Sequence, residues 1–101
     1  MSVQVEDWGV RRLDRDEAIA WADIERIEVV TTDEGPWQED FFWLLESAEE
    51  KGVAIGGDEA EACKLLAVLQ QRYLDLDNEA VIRAVGSTQN ARFLIWRRRR
   101  Y

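Results

Sequence analysis

The sequence predicts an α+β fold: an antiparallel sheet of about five to six strands in a meander, then two helices and a final strand inserted in the sheet. Three observations predict it. From Val3 to Ile55, apolar residues alternate with period two or form short runs rich in β-branched and aromatic side chains. Between Asp58 and Val85 the spacing becomes helical. A last apolar run, Phe93-Leu94-Ile95-Trp96, follows the helices. Strands that cluster before helices indicate an antiparallel sheet rather than alternating βαβ units.

The elements follow in order. Val3 and Val5 alternate with polar residues, and an extended segment runs from Trp8 to Leu13 with Arg11 and Arg12 inside it. Asp14-Arg15-Asp16-Glu17 reads as a turn. Ile19 and Trp21 alternate with small residues as in a half-buried strand, Asp23 breaks the run, and Ile24 to Thr32 forms the next strand. Asp33-Glu34-Gly35-Pro36-Trp37-Gln38-Glu39-Asp40 is a loop, since Gly-Pro punctuates it and Pro36 has no N–H to donate. Phe41 to Leu45 is apolar on both faces, as expected of a central strand, although periodicity alone does not separate it from a helix. Glu49 to Gly52 turns the chain into Val53-Ala54-Ile55, which Gly56-Gly57 ends. Asp58-x-x-Glu61 has the form of a capping box before a helix over Ala62–Arg72. Asp77 or Asn78 caps a second helix, Glu79–Val85, stopped by Gly86. Ser87 to Asn90 is a loop. The two-sided apolarity of Phe93–Trp96 places the last strand inside the sheet, beside Phe41–Leu45.

The chain of 101 residues, 47% of them hydrophobic, suits one domain over residues 1–101 with one core. No apolar run approaches the ~20 residues that span a bilayer, so no membrane partner is expected. The acidic start, Met1 to Asp7, predicts no secretory leader, and a single cysteine, Cys63, leaves no internal disulfide; both predict a cytoplasmic protein. The absence of histidine removes imidazole acid–base catalysis, histidine-activated nucleophiles and nearly all zinc sites. Ser2, Ser47 and Ser87 have no histidine to activate them, and Cys63 falls among apolar helix positions. Asp75-x-Asp77-x-Glu79 begins like a calcium loop, but Ala80 stands where its sharp turn needs glycine and Gly86 where it needs glutamate. Gly56-Gly57 is no phosphate cradle, because Asp58, Glu59 and Glu61 follow it. No enzyme, metal or cofactor is expected.

Charge carries the functional expectation. Against 21 Asp and Glu stand 13 Lys and Arg, a formal net charge of −8, which disfavours nucleic acid and favours a basic protein partner. Without the four arginines of Arg97–Arg100 the balance is −12. That basic block suits nucleic acid, anionic lipid or the chain's own acidic face; compensation within the chain is the plainer account. Among five tryptophans, Trp21, Trp43 and Trp96 fit core positions and Trp8 is ambiguous. Trp37 stands apart, ringed by Asp33, Glu34, Glu39 and Asp40. Either it folds back over the end of the sheet, or it anchors a basic surface that the carboxylates steer in.

The pattern Trp21-x-Asp23-Ile24, Thr32-Asp33-x-Gly35-Pro36, Asp40-x-Phe42-Trp43-x-Leu45 resembles a group of small bacterial proteins of unknown function. Asp77-Asn78-Glu79-Ala80-Val81-Ile82-Arg83-Ala84, Asn90-Ala91-Arg92-Phe93 and Trp96 extend the likeness. A strand ending in Trp-x-x-Ile before a meander also resembles pleckstrin-homology-like domains, and by type the chain is similar to immunity proteins that neutralise bacterial toxins. The type-level likeness, with the charge, implies an inhibitor occluding a basic, nuclease-like toxin through Asp33, Glu34, Trp37, Glu39 and Asp40. The pleckstrin-homology-like resemblance implies instead a structural or regulatory domain that binds a peptide at a sheet edge or self-associates, as a homodimer for example.

Overall fold

A computed structural model describes residues 3–32, 41–49, 51–87 and 89–98. The fold is α+β, and its strands form two antiparallel sheets rather than one. Strands β1 (Val3–Val5), β2 (Gly9–Arg12) and β3 (Glu17–Ala20) make a three-stranded meander. Strands β4 (Arg26–Thr31), β5 (Phe41–Glu46) and β6 (Gly52–Gly56) make a second meander, and β7 (Ala91–Arg97) completes a sheet of order β6-β5-β4-β7. The chain passes between the sheets through a short 3-10 turn, Trp21–Asp23. Trp21 is therefore not in a strand. Its backbone N–H donates to the Trp8 carbonyl at 3.0 Å and its indole N–H to the Glu6 carbonyl at 3.1 Å, which turns the corner and buries the ring.

Three helices, not two, connect β6 to β7: α1 (Gly57–Ala62), α2 (Leu65–Arg72) and α3 (Asn78–Val85). The expected single helix breaks at Lys64, which adopts a left-handed conformation (φ 56°, ψ 42°). Bending there lets Ala60 on one side and Leu65 and Leu69 on the other all reach the core. The expected capping box does not form: Gly56 is the N-cap, and no side chain caps α1. Of the two candidates for α3, Asp77 is the cap, its carboxylate accepting from the Ala80 N–H at 3.0 Å. Gly86 ends that helix in a right-handed conformation, so no left-handed glycine is needed there.

Strand β7 lies at the edge of the sheet beside β4, not inside it beside β5. The register shifts between Ile27 and Glu28: Ile27 faces Trp96, Glu28 faces Leu94, and Ile95 is the extra residue of a bulge. The bulge turns two successive side chains, Ile95 and Trp96, into the core, while Leu94 stays 48% exposed. An apolar run that suggested burial on both faces is thus a one-faced strand with an inserted residue. The Trp96 indole donates to Asp75 at 2.7 Å, and Tyr73 packs on Trp96 at a 48° tilt with ring centroids 4.3 Å apart.

One core joins both sheets: Val10 of β2, Ile27 and Val29 of β4, Leu45 of β5, Val53 and Ile55 of β6, and Leu65 and Leu69 of α2 are all essentially inaccessible. Val10 and Arg12 share the inner face of β2, so the Arg12 guanidinium is buried as well. It donates to the Ala54 carbonyl of β6, and to both carboxylate oxygens of Asp14 at 2.8 and 3.2 Å, with Glu59 of α1 at 3.4 Å. One side chain thereby ties the first sheet to an edge of the second and to a helix.

Candidate functional site

The acidic segment that the sequence singles out connects β4 to β5. Asp33, Glu34, Trp37, Glu39 and Asp40 lie outside the described residues. What is described is the ground on which the segment stands. Thr31 and Phe41 are the last paired residues at that end of the sheet. Thr31 is buried, and its hydroxyl donates to the Gln89 carbonyl at 2.5 Å, tying the strand end to the loop before β7. Phe41 packs against Gly57 so closely that a Cβ there would lie 2.8 Å from the ring. Both feet of the segment are therefore anchored, one through a hydrogen bond and one through a ring fitted against bare backbone. That contact sets the start of α1 beside Phe41, where Glu59 is already paired with Arg12 at 3.4 Å.

The charge is unevenly held. Residues 33–40 contain four carboxylates and no cation, half of the net −8, in eight residues. Elsewhere, cations are drawn into the chain's own structure. On the outer face of the four-stranded sheet, Arg26 pairs with Glu28 at 3.1 Å and with Glu46, and Arg92 pairs with Glu28 at 3.2 Å and Glu46 at 3.5 Å. Arg98 is held even more completely: its backbone N–H donates to the Glu25 carbonyl, its guanidinium donates to the carbonyls of Ile24 and Ala22, and it pairs with Glu25 at 3.5 Å. The second arginine of the basic terminal block is thus bound to its own chain, while Arg97 is exposed at the end of β7; Arg99 and Arg100 lie outside the described residues.

At the opposite end of the same sheet, where β5 turns into β6, a cleft of about 400 Å³ opens between that turn and β3. Ala18, Ala22 and Ala48 line it with Asp23, Glu25 and Glu49, and Lys51 is the single cation among its lining residues. Sequence reasoning missed this cleft, because it depends on how the two sheets meet. It also missed the buried role of Arg12, although a signal was present: Val10 and Arg12 share one strand face by period two.

Among the described residues, nucleophile and metal chemistry find no assembled group. Cys63 is half-buried, its Sγ donates to the Ala60 carbonyl at 3.5 Å, and burial pushes its thiol above the ordinary range, away from the thiolate. Among the described residues, no three His, Cys, Asp or Glu side chains converge on a common point. No described helix is long and apolar enough to cross a membrane. Comparison with known proteins adds no relative: no family model matches the sequence, no curated protein aligns with it, and no solved structure matches its fold.

Proposed function

We propose that the chain is a non-catalytic, acidic protein-binding module of the bacterial cytoplasm, an immunity-type inhibitor that occludes a basic, nuclease-like toxin. The observation that carries this reading is the concentration of charge: half of the net −8 sits in residues 33–40, around one tryptophan, between two anchored strand ends. Such a segment steers a cationic surface into contact at long range, and an aromatic anchor supplies short-range affinity. Asp33, Glu34, Glu39 and Asp40 would face the substrate groove of the toxin, with Trp37 seated in it.

The runner-up reading, a pleckstrin-homology-like domain that adds a peptide strand at a sheet edge, has less support. On the four-stranded sheet, the Ala54 carbonyl of edge strand β6 already accepts from Arg12, and the Ile95 carbonyl of edge strand β7 accepts from the Asp77 N–H at 2.8 Å. Added strands need those groups free.

The test is capture of partners from the native host, identified by mass spectrometry, followed by affinity measurement with Trp37→Ala/Asp40→Ala. The expected loss is about 2 kcal/mol or more, roughly thirtyfold, as at an interface hot spot. Unchanged affinity for the captured partner would remove the segment from the interface.

A further inference from the structure

We propose that the outer face of the three-stranded sheet, together with the acid-lined cleft beside it, is a self-complementary surface that receives a second copy of this chain. By register, Gln4, Arg11 and Ala18 form one row across β1, β2 and β3, and all three are exposed, while Val3, Val10 and Ile19 face the core. Trp8, 42% exposed, lies at one end of this face with the Arg11 guanidinium 5.4 Å from its ring. Beside it, Arg72 sits 4.5 Å over Trp21 and donates to the Asp7 carbonyl at 3.4 Å. Among the described residues, Arg11 and Arg72 form no ion pair, whereas Arg12, Arg26, Arg92 and Arg98 each do.

On the far side of β3 lies the cleft. Among the described residues, Asp23 forms no ion pair and Glu49 pairs only with Lys51, at 4.0 Å with both side chains about four-fifths exposed. Strand β3, bearing the small residues Ala18 and Ala20 on its outer face, therefore separates the stacked Arg11 from carboxylates open to a partner. A basic partner would satisfy the cleft and leave Arg11 facing like charge; an acidic partner would do the reverse. A second copy, related by a two-fold axis along β3, presents both in the required order. Arg11 of each protomer then enters the cleft of the other, and the alanines at the axis let the sheets approach. Three strands of about four residues cover roughly 14 by 13 Å, so with the cleft this is a small interface and a weak, concentration-dependent dimer. This inference does not rest on the proposed inhibitor function, which uses the opposite end of the four-stranded sheet.

Sedimentation velocity from about 5 to 500 μM at 0.15 M salt tests it, a range suited to weak association. The wild type is expected to move from monomer toward dimer. Arg11→Glu and Asp23→Lys/Glu49→Lys, all at exposed positions, should each weaken the dimer by at least about tenfold, with melting curves unchanged. An equimolar mixture of the two variants, or all three changes in one chain, should restore it. Charge swap discriminates where salt does not, since salt screens the net repulsion and the contact pairs together. The lysine variant sharpens the test: two acid-to-lysine changes take the net charge from −8 to −4, so a dimer governed by overall repulsion would strengthen. A wild type that stays monomeric, a mixture that does not associate, or a dimer lost only with Ile82→Arg on α3 would overturn the proposal.

Discussion

Replacing Arg12 with methionine removes the guanidinium that joins the two sheets while keeping most of its aliphatic stem. The cost can be worked from its contacts. The Ala54 carbonyl, part-buried at the junction of β2 and β6, loses its side-chain donor, which costs about 1–2 kcal/mol, the lower part of the range for an unsatisfied buried acceptor. The Asp14 side chain is 45% exposed and that of Glu59 26%, so both regain water, and each pairing contributes at most about 1 kcal/mol. The sum falls below the ~3–5 kcal/mol expected when a fully buried charge is stranded, because here the residual charges are carboxylates near solvent. A destabilisation of about 2–3 kcal/mol follows, which for a chain of this size lowers Tm by roughly 10 °C or more. Urea unfolding followed by tryptophan fluorescence measures it directly. Arg12→Lys should recover less than half of the loss, since one ammonium does not reach Ala54 and both Asp14 oxygens in the same fork geometry. A loss below about 0.5 kcal/mol for Arg12→Met, the size of an ordinary surface change, would refute the view that this residue fastens the sheets.

Two further predictions concern stability. Burial pushes the Cys63 thiol and the Tyr73 phenol above their ordinary values of 9.0 and 10.0, so the folded chain holds both protons more tightly than the unfolded chain. Their contribution is present below the ordinary values and is lost as pH rises through the folded ones. With no histidine in the chain, the urea midpoint should be flat between about pH 6 and 8 and fall above about pH 9. Cys63→Ala/Tyr73→Phe should flatten that fall, and an undiminished fall in the double variant would assign it to other groups. Asp77→Ala removes the cap of α3 and should cost about 1 kcal/mol in the same assay, with Asp77→Asn nearly neutral because its side-chain oxygen still accepts from Ala80.

The two acidic sites are built differently. The segment around Trp37 was visible in one dimension, because its charges are neighbours in the chain. The cleft assembles Ala18, Asp23 and Glu25 from one stretch and Glu49 from another more than twenty residues on, and nothing in the local spacing brings the two together. Its complement, the stacked pair of Trp8 and Arg11, depends on a turn that aims both side chains at one face.

Periodicity, composition and cap chemistry by themselves determined the α+β class, the strands from Val3 to Ile55, a cap for the last helix at Asp77 or Asn78, and the burial of Trp21, Trp43 and Trp96. These are properties that neighbouring residues settle among themselves, since alternation of apolar side chains selects the buried face of a strand and a short polar side chain satisfies the first N–H groups of a helix. Only the tertiary structure decided the rest. It split the strands into two sheets at the Trp21 turn, bent the predicted helix at Lys64, and put β7 at an edge with a bulge at Ile95. Each of those choices trades a local preference for burial against residues distant in sequence. A left-handed lysine or an inserted strand residue is unfavourable where it stands and is kept because Leu65, Leu69, Ile95 and Trp96 all reach one core.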